Sequence, residues 1–122
     1  MKPNTTGVRR VINAAGYSLK GFKSAWLFEA AFRQEVTLCI IFSIVAFMLP
    51  VSNIERIMMI VSLLLVVIVE LLNSAIEAVV DRIGDDWNEL SGRAKDIGSA
   101  AVFLSLFLVL FVWVSILLDI YK

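Results

Sequence analysis

The sequence predicts an all-α membrane protein: an N-terminal amphipathic surface helix followed by three transmembrane helices. Three observations predict it. Hydrophobic residues make up 60% of the 122 residues and mean hydropathy is +0.88, whereas soluble domains run near ~45–50% apolar. The 11 Lys and Arg and 11 Asp and Glu fall in clusters between long uncharged runs. The first segment instead alternates apolar and basic positions at helical spacing.

That first segment, about residues 4–28, begins with the cap-type residues Asn4, Thr5 and Thr6. Val8, Ile12, Ala15, Leu19, Phe22 and Trp26 then recur at spacings of four and three, opposite Arg9, Arg10, Asn13, Lys20 and Lys23. An apolar stripe backed by basic residues reads as a helix lying in the headgroup plane, the alternative being one packed only on protein. Residues 1–24 lack the apolar core of a signal peptide.

The first span, about 30–51, contains most of the nineteen uncharged residues from Val36 to Ile54, close to the ~20 that cross ~30 Å of hydrocarbon. Pro50, Ser52 and Asn53 break it before Glu55 and Arg56. The second span, about 54–83, is uncharged from Ile57 to Val69 and continues through Glu70 and Glu77 without a breaker. A polar segment from Asp81 to Asp96 follows. The third span, about 91–119, holds the twenty-two uncharged residues from Ile97 to Leu118. Residues 1–122 are therefore expected to form a single membrane domain.

Orientation follows from the flanking cations. Lys2, Arg9, Arg10, Lys20, Lys23, Arg33, Arg82, Arg93 and Lys95 lie on one side, and only Arg56 and Lys122 on the other. Nine against two puts the N terminus and the second loop in the cytoplasm, with Trp113 and Tyr121 toward the far interface. The balanced charge gives no reason to invoke nucleic acid. With no histidine in the chain, the commonest general base and transition-metal ligand are missing, so a metal here would be a hard, oxygen-liganded ion. The single cysteine, Cys39, excludes an intrachain disulfide.

Glu70, Asn73, Ser74, Glu77 and Asp81 fall within about 100° of one another around the second span. One face of an apolar helix is thus lined with oxygen ligands, and no cation inside the spans pairs with them. Burying a carboxylate in hydrocarbon costs several kcal/mol, so this face must look into the bundle. A lone Asn or Ser is more often interhelical glue, but two glutamates a helical repeat apart point to function. Mg²⁺ is the simplest compensating ion. Seven residues at ~1.5 Å each set Glu70 about 10 Å deeper than Glu77. Glu77 can then meet a soluble phosphate, while Glu70, near headgroup depth, suits a general base. Lys95 is a point charge of the kind that holds phosphate, and Arg10 could join it. Trp87 can stack on a base or anchor at the interface. Ala94, Gly98 and Ala101 form a small-residue patch suited to close helix packing. No Walker loop or glycine-rich kinase loop is present.

The segment from Glu70 to Gly84 (ELLNSAIEAVVDRIG) closely resembles the second membrane helix of bacterial diacylglycerol kinases, as does that from Glu89 to Ala101 (ELSGRAKDIGSAA). Ala14–Ser18 and Glu29–Glu35 are similar to the same family. The resemblance implies a homotrimer in the bacterial inner membrane, with its active site facing the cytoplasm, that moves the γ-phosphate of ATP to diacylglycerol. It implies Glu70 as base and Glu29 with Glu77 as Mg²⁺ ligands. Arg10, Tyr17, Glu29, Glu77, Asp86, Trp87, Asn88, Lys95 and Asp96 would border the nucleotide. Arg10, Ala14, Ala15, Tyr17, Ser18, Lys23, Trp26, Ala31, Gln34, Glu35, Glu70 and Ser99 would border the lipid. Two departures stand out: enteric members carry Ser-Glu-Tyr-His where this chain has Asp85-Asp86-Trp87-Asn88, and Asn where it has Phe28. The rival readings are an undecaprenol kinase of the same family and a small proton-coupled multidrug transporter. The latter usually has four spans and an isolated Glu in the first.

Overall fold

Four helices form in chain order, α1 (Gly7–Phe28), α2 (Ala30–Met48), α3 (Asn53–Ile83) and α4 (Glu89–Ile120), in a computed structural model that describes residues 6–122. The cap-type residues Asn4 and Thr5 lie outside the described residues. Thr6 is the extended residue before α1, and its side chain makes no capping bond. Three helices, α2 to α4, are long and apolar enough to cross a membrane, so the chain is a multi-pass membrane protein.

Helix lengths already divide the molecule. At ~1.5 Å per residue, the 19 residues of α2 reach about 28 Å, the thickness of a hydrocarbon core. The 31 residues of α3 and 32 of α4 reach about 46 and 48 Å. The last two therefore overrun the core, and the surplus carries Glu77, Asp81 and Lys95.

The first two corners between helices leave carbonyls unbonded, and at each an arginine meets them. Glu29 leaves helical geometry (φ −119°, ψ 104°) while its N–H still reaches Ala25 O at 2.9 Å. Arg33 Nη1 then donates back to Trp26 O at 2.7 Å and Leu27 O at 3.3 Å. At the second corner Arg56 donates from Nε to Ala46 O at 3.0 Å and from Nη2 to Leu49 O at 3.2 Å and Val51 O at 3.4 Å. The start of α3 is closed by a capping box. Glu55 N–H donates to Ser52 Oγ at 3.2 Å, and Ser52 N–H donates to Glu55 Oε1 at 3.0 Å. The second span thus begins at Asn53 and the first ends at Met48, three residues before the expected boundary, and the non-helical Leu49 and Val51 turn their carbonyls to Arg56. At the end of α3, Gly84 has φ +144°, a conformation that glycine alone adopts freely.

The helices pack with α3 in the middle, against α4 along most of its length and against α2. Ala46, Met59, Leu63, Trp113 and Ile116 form the apolar core near the α2–α3 corner. Trp113, expected toward the far interface, is buried among these residues. Its indole N–H needs an acceptor in an apolar medium and finds Met59 O at 3.3 Å, while Phe42 meets the ring edge-on at 5.5 Å. Tyr121 is exposed. At the other end of α3 and α4, a side chain on Gly98 would collide with Asn73 Oδ1, so this glycine lets the two backbones approach. Ala101, one turn on, is exposed. The outward faces, such as Phe103, Phe107, Leu110 and Phe111 of α4, stay exposed, as expected where lipid or a neighbouring subunit is the solvent.

Arg56→Gln shortens the reach to three carbonyls at the α2–α3 corner. It should lower unfolding free energy by about 1–2 kcal/mol, read as an earlier midpoint in a denaturing-detergent titration; an unchanged midpoint would mean that water replaces the guanidinium there at no cost.

Candidate functional site

The polar face of α3 is inside the helix bundle. Glu70 is 5% exposed, and Asn73 and Ser74 are 8% exposed each, and for a glutamate such burial is rare without a partner. Glu77, nearer the helix end, is half-buried, and Asp81 is exposed. Burial thus falls steadily from Glu70 toward the polar loop, along a helix that rises about 10 Å between Glu70 and Glu77.

Other acids converge on Glu70. The carboxylates of Glu77 and Glu29 repel that of Glu70, and Glu70 in turn repels Glu35. Glu29 reaches this place because it is the extended hinge between α1 and α2, and Glu35 because it lies on the inner side of α2. Among the described residues the ion pairs join Glu89 to Arg93, Asp81 to Lys95 and Asp119 to Lys122, and none reaches Glu29, Glu35, Glu70 or Glu77. Asn73 Nδ2 donates to Glu77 Oε1 at 3.4 Å. Glu35 Oε2, Asn73 Oδ1 and Ser74 Oγ are buried with no partner at all. Uncompensated acids together with unpaired polar atoms describe a site built to receive charge from outside the chain.

The chemistry of the donors limits what that charge can be. Oxygen ligands alone suit Mg²⁺ or Ca²⁺ rather than a softer metal. Among the described residues no three acidic, cysteine or histidine side chains converge closely enough to hold a metal ion by themselves. Mg²⁺ needs no such cage, since it commonly keeps several waters and binds through one or two carboxylates plus substrate phosphates. Glu29 and Glu77 are carboxylates of the kind that such a site uses.

Two cavities are relevant here, one lined by Ser74 of this face and one by Glu35. One, of about 620 Å³, lies between α1 and α3 and is lined by Ser18, Phe22, Ala25, Glu29, Ser74 and Ala78 among others. The second, of about 390 Å³, runs from Glu35 past Cys39, Phe42 and Val66 to Trp113 and is almost wholly apolar. A groove with one carboxylate at its head and hydrocarbon along its length fits an amphiphile.

The remaining expected residues are dispersed more widely. Lys95 donates to Asp81 at 2.8 Å, tying α4 to α3 across the loop; the sequence reading missed this pair, since nothing in the spacing of residues 81 and 95 signals a contact. Asn88 caps α4, accepting from Ser91 N–H at 3.1 Å, a role that its cap-type side chain could have revealed. Trp87 is 87% exposed and lines an open hollow of about 320 Å³ with Asn88, Gly92, Arg93 and Asp96. Asp86 and Ser99 are exposed. On α1, Arg10, Ala14, Ala15, Ser18, Lys23 and Trp26 are exposed and Tyr17 is half-buried; Ala31 and Gln34 on α2 are exposed. Within the single chain these groups flank the acidic face rather than closing over it.

Comparison with known proteins agrees with this geometry. The profile of the prokaryotic diacylglycerol kinases matches residues 16–117. The diacylglycerol kinase of Escherichia coli strain K12 is 54% identical over 117 residues, covering 96% of this chain and 96% of that one. The diacylglycerol kinase of Haemophilus influenzae is 55% identical over 113 residues, covering 93% and 96%. That of Helicobacter pylori strain 26695 is 38% identical over 119 residues, covering 98% and 93%. A buried acidic face on the second of three spans, and likeness along nearly the full chain, have one common explanation: the chain belongs to the prokaryotic diacylglycerol kinase family.

Proposed function

We propose that this chain transfers the γ-phosphoryl group of ATP to the free hydroxyl of diacylglycerol, giving phosphatidic acid and ADP. The reaction takes place on the cytoplasmic side of the bacterial inner membrane, in a homotrimer whose α1 helices lie in the headgroup plane. The observation that carries the reading is Glu70, buried at 5% exposure on a membrane helix with other carboxylates around it and no cation beside it.

The attacking group is a primary hydroxyl, a weak nucleophile near neutral pH. Glu70 orients it and accepts its proton as the oxygen attacks γ-phosphorus. The bond from that phosphorus to the bridging oxygen breaks, and the electron pair leaves with ADP. Glu29 and Glu77 would hold Mg²⁺ at the nucleotide end, where the ion would neutralise charge on the phosphate oxygens. Lys95, already tied to Asp81, contributes a further positive charge at the water side, with Arg10 from α1. Tyr17, Asp86, Trp87, Asn88 and Asp96 border the nucleotide. The lipid is bordered by Ala14, Ala15, Ser18, Lys23, Trp26, Ala31, Gln34, Glu35 and Ser99, and its acyl chain follows the apolar groove below Glu35. The hydroxyl therefore comes from the bilayer and the phosphoryl group from water, and they meet between Glu70 and Glu77.

Two substitutions test the assignment of roles. Glu70→Gln keeps the volume and removes the base. Turnover of purified protein with diacylglycerol should be abolished, while Mg·ATP affinity and trimer mass stay near wild type; near-normal turnover would end the assignment, and a parallel loss of ATP binding would move Glu70 into the metal site. Running undecaprenol beside diacylglycerol as acceptor separates the two lipid-kinase readings, and diacylglycerol should be the better substrate by far.

Glu77→Gln removes a charge from the nucleotide end. Activity should need much more Mg²⁺ to reach half its maximum, and that maximum should fall. An unaltered Mg²⁺ dependence would show that Glu77 is not a ligand.

A further inference from the structure

Asn73 and Ser74 are the members of the buried face that the foregoing roles do not use, and of the two only Ser74 lines the cavity that Glu29 lines. Serine and threonine inside helices ordinarily return their hydroxyl to a carbonyl of the preceding turn. Ser18 does so to Ala14 O at 2.9 Å, Thr37 to Arg33 O at 2.7 Å, Ser62 to Met59 O at 2.7 Å and Ser105 to Val102 O at 2.7 Å. Ser74 Oγ is buried and has no partner, although the residue is only 8% exposed. Leaving a buried hydroxyl unpaired is costly, so a group outside the chain is its natural partner.

Its position narrows that partner. Ser74 lies about 6 Å along α3 from Glu70 and about 4.5 Å from Glu77, and about 40° and 60° from them around the helix. It therefore stands between the residue assigned to the acceptor hydroxyl and the residue assigned to the nucleotide. It also lines the 620 Å³ cavity that Glu29 lines, so the hydroxyl has open space before it. In an in-line transfer the attacking and leaving oxygens lie on opposite sides of phosphorus, and charge spreads over three equatorial oxygens. A donor midway between base and metal ligand faces those oxygens.

We propose that Ser74 is a further catalytic residue, its hydroxyl donating a hydrogen bond to an equatorial oxygen of the phosphoryl group in flight. The inference rests on the roles given above to Glu70 and Glu77. Ser74 exchanges no proton in the step: the acceptor's proton goes to Glu70, one P–O bond forms and one breaks. A bond made only as charge develops raises turnover without tightening the ground state.

The experiment compares wild type, Ser74→Ala, Ser74→Thr and Glu70→Gln as full-length protein in one lipid–detergent preparation, measuring kcat, KM for ATP and for diacylglycerol, and thermal midpoint. Ser74→Ala should lose about 10²-fold in kcat, the scale of removing one transition-state donor, with both KM values and the midpoint unchanged. Ser74→Thr keeps the hydroxyl, its extra methyl has the cavity to enter, and it should recover most of the rate. Wild-type kcat in Ser74→Ala, a loss confined to KM for ATP, or a fall in midpoint without rescue by threonine would each overturn the proposal. If Ser74→Ala is unimpaired while Glu70→Gln is inactive, only the Ser74 role falls; if Glu70→Gln turns over normally, the underlying site assignment falls instead.

Discussion

A carboxylate facing hydrocarbon is too costly to keep, and this fold is arranged around that constraint. Helix α3 carries Glu70 with Asn73, Ser74 and Glu77 on one face, so that face has to be covered by protein. The consequence is visible in the packing order. The helix with the most polar residues is the central one, while α4, with its row of exposed phenylalanines and leucines, faces outward. Burial runs opposite to what a soluble protein shows, with glutamate inside and phenylalanine outside.

Covering the face requires fixed helix directions, and the corners supply them. Arg33 and Arg56 each reach back to carbonyls of a helix that has just ended, which sets the angle at which α2 leaves α1 and α3 leaves α2. Gly98 brings α4 against Asn73, and the Trp113 N–H on Met59 O closes the far end of the same helix pair. Glu70 thus lies between two pinned points of α3, and the Lys95–Asp81 pair ties the two helices again beyond Glu77. Within the chain Arg10, Asp86, Trp87 and Asp96 remain exposed, and the proposed trimer would bring a neighbouring subunit over them.

The parts of this account that depend on local pattern were legible in the sequence. Uncharged runs bounded by Pro50 and by the segment after Asp81 mark the spans, because the bilayer demands length and apolarity over a continuous stretch. The clustering of Glu70, Asn73, Ser74 and Glu77 follows from helical periodicity. What remained hidden depends on partners distant in sequence or on choices among equal options. Trp113 reads as a ring toward the far interface; that it is buried there depends on the approach of Met59 O, distant in sequence. Arg56 looks like a loop cation, but the carbonyls that it meets exist only once α2 has ended. Lys95 and Asp81 become neighbours only when α3 and α4 fold back on each other. The free hydroxyl of Ser74 was equally invisible, since serine in a membrane helix usually bonds to its own preceding turn.

The central claim is that the polar face of α3 works only when adjacent copies close over it. The direct measurement is activity against assembly mass as detergent dilution drives the protein from associated to separate chains. Turnover should follow the species of about three times 13.6 kDa and vanish with it. A population of single chains retaining full turnover would contradict the claim.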